Sequence, residues 1–230
     1  MIAVDPGGRL GHSCVRDFQA GIMLRVMRGI AEETVVALDV PRNRVPPTTK
    51  FRSTWIVASQ NALRDCGFFD RYAKLLGETH RETLLTTVVG TWLPVNMAIA
   101  HYTACDALGL SEGEIKTIGK ILTRHLNNAF VSVAGRFARE VGATPWLPLS
   151  HARRVWDRMC MGGAIAVYKE GPKEARVEVL GCTLGHIPYF RDGLRDLGSS
   201  LGALFCDVMY VKHVPILSQP TNIVYRASWA

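Results

Sequence analysis

A chain of 230 residues is long enough to bury a hydrophobic core and is typical of one large domain or two small ones. Its 48% hydrophobic and 20% charged residues are ordinary for a globular protein, and residues 88–100, the nearest approach to a membrane span, are interrupted by Gly90, Pro94 and Asn96. The net charge of +7 would suit nucleic acid, an anionic membrane surface or an acidic protein. Because no basic flank and apolar run open the sequence, we expect no signal peptide and a cytoplasmic location.

The first 45 residues give the weakest pattern. Their start is rich in glycine, and Pro41, Pro46 and Pro47 then mark a boundary. We predict that residues 1–45 are an N-terminal extension, either partly mobile or packed on the body. Residues 46–230 are predicted to form a single α+β domain of the ligand-binding type.

From residue 51 onwards, apolar residues recur at helical spacing. The pattern predicts helices over residues 51–66, 69–76, 79–89, 94–109, 111–141 and 150–161. Two capping boxes, Thr79 with Glu82 and Ser111 with Glu114, are expected to start the third and fifth of these helices. Ser150 is expected to cap the last one.

The final third of the chain changes to the period-two pattern of strands. Strands are predicted over residues 162–168, 175–180, 208–217 and 223–229, with a helix that starts at Pro188 after the second strand. Gly198 and Gly202 should give that helix a narrow face for close packing on a sheet. The order predicts an α+β fold, in which an N-terminal helical bundle packs on a C-terminal β-β-α-β-β antiparallel sheet unit.

Several short motifs, in this order and spacing, carry a resemblance to a known family. They are Gly90-Thr-Trp-Leu-Pro94, Trp156 followed by Gly162, Gly171-Pro172, Gly181-Cys182 and Tyr225-Arg-Ala-Ser-Trp229. Over roughly residues 51–230 the chain resembles a paralogous domain family expanded in myxobacteria, to which no biochemical function is assigned. More remotely, it is similar to the superfamily of haem nitric-oxide sensor domains, vinyl-reductase-type ligand-binding domains and TRAPP transport subunits.

The superfamily resemblance implies a regulatory or scaffolding module built around an apolar cavity. Its haem sensors hold the haem propionates with a Tyr-x-Ser-x-Arg signature, whereas this chain has the same residue types in another order at Tyr225-Arg-Ala-Ser228. A haem ligand would also need a histidine on an apolar helix face, for which His101 and His125 are the candidates. We therefore predict no cofactor and keep haem as the alternative.

A ligand pocket is expected between the long helix and the sheet. Its predicted lining residues are His125, Phe130, Phe137, Trp156, Leu194 and Leu201. Arg153, Arg154 and Arg158 share one short helix and could contact a phosphate group or an acidic partner, although such stripes are usually solvated.

The sequence predicts no complete catalytic site and no metal site. The Walker and HExxH patterns do not occur, and we expect no enzyme. Cys182, His186, Cys206 and His213 have zinc-ligand chemistry, but a helix about 25 Å long separates the two pairs. We predict no metal.

These observations favour a non-enzymatic cytoplasmic sensor, adaptor or scaffold. It would act through an apolar cavity or a protein–protein interface, with a small apolar ligand or a protein as its partner, and would form a homodimer. The alternatives are a sensor that binds haem or another tetrapyrrole, and a basic protein that binds nucleic acid or an anionic surface. Nucleic acid is not the favoured partner.

Overall fold

The computed structural model of the chain describes residues 33–126 and 142–230. Within these ranges helices come first and the main sheet follows. In chain order the helices are α1 (Ser53–Asp65), α2 (Phe69–Leu75), α3 (Glu78–Thr86), α4 (Val95–Asp106), α5 (Glu112–Leu126), α6 (Trp146–Ser150), α7 (Ala152–Met159) and α8 (Pro188–Gly202). The α+β class predicted from the sequence is confirmed.

The main sheet holds the C-terminal strands. Its described strands are β1 (Glu33–Val36), β5 (Ala164–Gly171), β6 (Glu174–Leu180), β7 (Met209–His213) and β8 (Ile223–Trp229), in the spatial order β1-β5-β6-β8-β7. Strands β5, β6, β8 and β7 pair antiparallel, with Val177 opposite Tyr225 and Val211 opposite Ala227. Helix α8 lies between β6 and β7 in the chain, so the predicted β-β-α-β-β order is confirmed.

A second, smaller sheet was not predicted. It consists of β2 (Lys50–Arg52), β3 (Trp92–Pro94) and β4 (Cys160–Met161), in the order β3-β2-β4. Strands of two or three residues are too short for a period-two pattern to show, and tertiary pairing creates them. Phe51 at the centre of β2 is completely buried.

The strand predicted over 162–168 is shifted along the chain and is seen as β5, Ala164–Gly171. Strand β4 ends before Gly162 and β5 begins after Gly163, and both glycines have positive φ, at 81° and 68°. A Cβ atom on Gly162 would lie 2.2 Å from the carbonyl oxygen of Pro47. The glycine pair therefore lets the chain pass from one sheet to the other beside the backbone of residues 47 and 48.

Helix starts were predicted with mixed success. Ser111 and Glu114 form the predicted capping box, since the Ser111 N–H donates to Glu114 Oε2 at 2.7 Å. The box at Thr79 is wrong, because α3 starts after Gly77 and places Thr79 inside the helix. The cap at Ser150 is also wrong. Ser150 ends the short helix α6, and His151 precedes α7.

Two further predictions need adjustment. The strand predicted over 208–217 stops at His213, and a 3₁₀ turn over Pro215–Leu217 replaces its end, because Pro215 has no N–H for a strand ladder. The long helix predicted over 111–141 is seen as α5 up to Leu126, and its remainder lies outside the described residues.

The core of the described part lies on one side of the main sheet. Helix α8 crosses this inner face against β7 and β8, α7 packs on β5, and α5 packs on both α1 and α8. On α8 the face toward the sheet is narrow at Gly202, where an added Cβ atom would meet Met209 Sδ at 1.5 Å. The predicted close packing at Gly202 is therefore present. No helix in the described ranges has the length and apolarity that a membrane crossing needs.

Candidate ligand-binding cavity

An apolar cavity of about 170 Å³ lies between two helices and the inner face of the main sheet; we call it the sheet cavity. Its helical wall includes Val155, Trp156, Met159, Leu194, Leu197 and Leu201, and Trp55 of α1 also lines it. Its sheet wall includes Ile165, Val177, Val179, Val211, Tyr225 and Ala227. Apart from Tyr225, these named side chains are hydrocarbon, thioether or indole in character, so the cavity suits an apolar molecule.

The sequence pattern explains the sheet wall. Alternation along β6 places Val177 and Val179 on the inner face, while Arg176 and Glu178 point to the opposite face. Tyr225 lies directly opposite Val177 in the neighbouring strand and faces the same side. The Tyr225 hydroxyl donates to the carbonyl oxygen of Arg191 at 2.8 Å, which ties the sheet to α8.

Part of the volume of the sheet cavity exists because α8 has a glycine, Gly198, in its wall. The nearest atom to a Cβ placed on Gly198 would be Cγ2 of Val211, at an ordinary contact distance of 3.8 Å. Gly198 itself lines the cavity. A larger side chain at this position would therefore project into the volume that a ligand could use.

A second and smaller cavity adjoins the first; we call it the helix cavity. Its volume is about 40 Å³, and it lies between α1, α5 and α8. Trp55, Met159, Leu194 and Leu197 line both cavities and form the partition between them. The helix cavity also borders the polar residue Ser59, and its volume exceeds the minimum of about 10–15 Å³ that one water molecule needs.

The size of the sheet cavity limits its contents. An apolar cavity of about 150 Å³ engineered in another protein binds benzene or xenon, and pockets for drug-sized molecules start at about 300 Å³. The sheet cavity, at about 170 Å³, belongs near the first of these values. It therefore matches a molecule of about the size of one aromatic ring, and a tetrapyrrole is much larger.

The chemistry of the walls also departs from a haem site. Among the described residues that line the sheet cavity and the helix cavity there is no histidine to bind iron and no lysine or arginine to hold a propionate. The residues described here do not fit haem in this arrangement.

His101, one of the two candidate haem ligands, is engaged elsewhere. It is completely buried, its Nδ1 lies 2.7 Å from the Tyr72 hydroxyl, and its Nε2 faces Cys105 Sγ at 3.8 Å. Burial lowers its pKa to about 3, so the ring is neutral at pH 7. Gln60 completes this network by donating to the Tyr72 hydroxyl at 3.2 Å and to the Leu84 carbonyl at 2.9 Å.

The structure places the other predicted pocket residues as follows. Trp156, Leu194 and Leu201 lie in the wall of the sheet cavity. His125 lies away from both cavities, where its Nε2 is 2.8 Å from Asp65 Oδ2 at the surface. Phe130 and Phe137 lie outside the described residues. The long helix was expected to form the main pocket wall, but its described part, α5, lines the helix cavity instead.

The three arginines of α7 have different surroundings. Arg153 pairs with Asp39 and, at 3.7 Å, with Asp157. Arg154 and Arg158 are exposed.

The residues with zinc-ligand chemistry have separate surroundings. Cys182 is buried, His186 is exposed, and His213 Nε2 contacts Ser218 Oγ at 3.0 Å. In the ranges 33–126 and 142–230, no three His, Cys, Asp or Glu residues are grouped so that they could hold a metal ion.

Sequence reasoning missed the sheet wall and the buried network. The period-two pattern already placed Val177 and Val179 on one face, so this wall could have been named. Gln60 carried a signal as well, because it lies in the apolar stripe of α1 between Ala58 and Ala62. A polar residue at such a buried position needs a hydrogen-bond partner.

Solved structures identify the fold. An oxygen-binding H-NOX domain related to soluble guanylate cyclases, in its oxygen complex, matches with a TM-score of 0.52 at 12% identity, over 77% of this chain and 94% of that one. A mutant Fe(II) unliganded H-NOX protein from K. algicida matches with a TM-score of 0.54 at 9% identity, over 78% and 96%. A protein studied for modulation of haem redox potential through porphyrin distortion matches with a TM-score of 0.51 at 11% identity, over 77% of this chain and 94% of that one.

The sequence itself matches no protein-family model and no curated protein. The likeness therefore rests on structure, at identities that establish the arrangement of the chain and nothing finer. The helices followed by a β-β-α-β-β sheet have the fold of H-NOX (haem nitric oxide/oxygen binding) domains.

Proposed function

We propose that this chain is a non-enzymatic sensor domain that binds a small apolar molecule in the sheet cavity. The observation that carries the proposal is the cavity of about 170 Å³ between α7, α8 and the inner face of the sheet. The ligand class follows from the lining, which is almost entirely apolar. The fold supports a sensing role because the neighbours include an oxygen-binding domain related to soluble guanylate cyclases.

The position of the cavity suggests how binding could be transmitted. Its walls belong to α7, α8 and the sheet, with contributions from α1 and α6, so a ligand contacts several elements at once. A ligand shifts such an arrangement only if it binds one packing of the helices more tightly than another. Leu194 and Leu197 also border the helix cavity, so a shift of α8 would be felt against α5.

Toluene is a suitable first probe because it is apolar and close to the size of the cavity. Trp55 and Trp156 lie in the cavity wall, so binding should change intrinsic tryptophan fluorescence. It should also raise the melting temperature, since a ligand at about 100 times its Kd stabilises the folded state by about 2.7 kcal/mol. Unchanged fluorescence and melting temperature in toluene-saturated buffer would remove the proposal.

A haem-binding sensor is the second candidate function. The similarity to H-NOX structures favours it, and the absence of histidine and cations from the described cavity walls speaks against it. The test is a Soret band in freshly purified protein and after titration with hemin. A stoichiometric band would put haem first, and a colourless protein that takes up no hemin would eliminate this candidate.

Five parts of the hypothesis stay predictions. They are the homodimer, the cytoplasmic location, the division into an extension (1–45) and a domain (46–230), membership of the myxobacterial family, and action as an adaptor or scaffold for a protein partner. Native mass spectrometry before and after denaturation tests the dimer and detects a retained ligand in the same measurement.

Binding of nucleic acid through Arg153, Arg154 and Arg158 is the third candidate function. It requires an affinity for nucleic acid that falls steeply with added salt.

A further inference from the structure

The wall of the sheet cavity reaches the surface at Val155. This residue lines the cavity, yet 40% of its surface is exposed to solvent. Trp156 and Met159, which line the cavity from the same helix, are only 3% and 4% exposed. The α7 wall therefore approaches solvent on the Val155 side of the helix, and we call this place the mouth.

Two arginines flank the mouth. Successive residues of an α-helix are about 100° apart, so Arg158 lies about 60° and Arg154 about 100° around the helix from Val155, both in the same direction. Arg153 lies about 160° away, on the opposite side. The arrangement thus joins an apolar opening to two cationic side chains on one flank.

The charges of these two arginines are not neutralised by the described part of the chain. Neither Arg154 nor Arg158 has an ion pair or hydrogen bond with a residue in the ranges 33–126 and 142–230. Arg153 differs, because Asp39 and Asp157 both contact it. Arg154 and Arg158 therefore remain available for an external anion.

We propose that the sheet cavity takes a small monoanion, such as an aromatic carboxylate with one ring, whose charged group stays at the mouth between Arg154 and Arg158. This rests on the proposed function and names the ligand class for it. The ring fits a cavity of about 170 Å³, which is too small for a long acyl chain. The carboxylate cannot enter the apolar interior, because burial of an unpaired charge is strongly unfavourable.

Arginine is well suited to this role. Its planar guanidinium group matches the two oxygens of a carboxylate and can bind both at once. The stems of the same side chains can cover the apolar rim around Val155 while their charged ends remain in water. The ordinary role of such arginines is to cover the surface in this way, so the experiment must separate ligand recognition from coverage.

Three probes of similar shape and different charge make this separation: benzoate, toluene and benzylamine. Their affinities are measured at pH 7 and one fixed, low ionic strength for the full chain and for the variants Arg154→Gln, Arg158→Gln and Arg153→Gln. The Arg153→Gln variant is the matched control, since it removes the same charge from the other side of α7. Circular dichroism and melting temperature verify that each variant is folded.

We expect benzoate to bind at least about tenfold more tightly than benzylamine. Arg154→Gln and Arg158→Gln should each reduce that ratio several-fold, whereas Arg153→Gln should leave it within twofold, and toluene affinity should stay constant. Toluene binding without preference for benzoate over benzylamine would overturn the monoanion and leave the apolar site intact. An equal loss in Arg153→Gln would also overturn it, because general surface charge would then explain the preference. If no probe binds, the proposed function fails as well.

Discussion

The hydroxyl group of Tyr72 lies 2.7 Å from Nδ1 of His101, and both side chains are completely buried between α2 and α4. Gln60 donates to the same hydroxyl, so the hydroxyl hydrogen is left to point at Nδ1, which must then be unprotonated. A neutral ring with its hydrogen on Nε2 satisfies this arrangement. The network links α1, α2 and α4 through polar groups in an otherwise apolar core.

Removing the Tyr72 hydroxyl should destabilise the protein. Tyr72→Phe leaves Nδ1 of His101 without a donor in a buried site, and the expected loss in the free energy of unfolding is about 1 to 3 kcal/mol. Urea denaturation followed by circular dichroism measures it. Tyr210→Phe is the matched control, since Tyr210 is 58% exposed and the same change there should cost less than about 0.5 kcal/mol. Equal losses would show that the network contributes nothing.

His101 should make stability depend on pH below neutrality. Its folded-state pKa, lowered by burial to about 3, lies below its ordinary value of 6.5, so the unfolded chain binds the proton more readily between these values. The contribution of His101 to the free energy of unfolding is therefore fully present above about pH 6.5. It falls by about 1.4 kcal/mol per pH unit as the pH decreases towards 3.

The comparison of wild type with His101→Gln isolates this contribution. Between pH 7 and pH 5 the wild type should lose about 2 kcal/mol more than His101→Gln, measured by urea denaturation at each pH. His186→Gln, at an exposed position, is the control variant and should behave as the wild type does. Parallel pH profiles for wild type and His101→Gln would contradict the prediction.

Gly162 should tolerate no side chain. Its φ of 81° strains any other residue, and an added Cβ atom would lie 2.2 Å from the Pro47 carbonyl oxygen, a rigid backbone atom. We expect Gly162→Ala to lower the free energy of unfolding by about 3 kcal/mol or more. Gly90→Ala separates the two causes, because Gly90 has a φ of 95° with nothing within 4 Å of an added Cβ.

For Gly90→Ala only the backbone strain should remain, about 1 to 2 kcal/mol. Thermal and urea unfolding of both variants supply the comparison. If Gly162→Ala costs no more than Gly90→Ala, the close approach of residue 162 to Pro47 is not a constraint on this fold.

Filling the sheet cavity should abolish toluene binding without unfolding the protein. In Gly198→Leu the new side chain occupies the cavity, so toluene affinity should fall at least about tenfold. The melting temperature should hold or rise, since leucine favours a helix by up to about 1 kcal/mol over glycine. Gly113→Leu makes the same substitution at an exposed position of α5 and should leave toluene affinity unchanged. Undiminished binding in Gly198→Leu would place the ligand elsewhere.

Local sequence patterns determined much of the architecture. Alternation in β6 and β8, helical spacing in α1, α4 and α8, and the box of Ser111 with Glu114 each depend on neighbours along the chain, so a single sequence reveals them. The same locality explains the errors at Thr79 and Ser150. Both residues have good capping chemistry, but α3 begins after Gly77 and α7 begins after His151.

Tertiary structure alone decided the site. Trp55 and Val211 are far apart in the chain and meet at one cavity, and the three short strands of the second sheet exist only because they pair with one another. The sequence could supply the apolar residues but not the volume left between them, because a cavity depends on how several helices and a sheet pack together. For the same reason His101 and His125 looked alike in sequence, while packing buried one beside Tyr72 and left the other at the surface with Asp65.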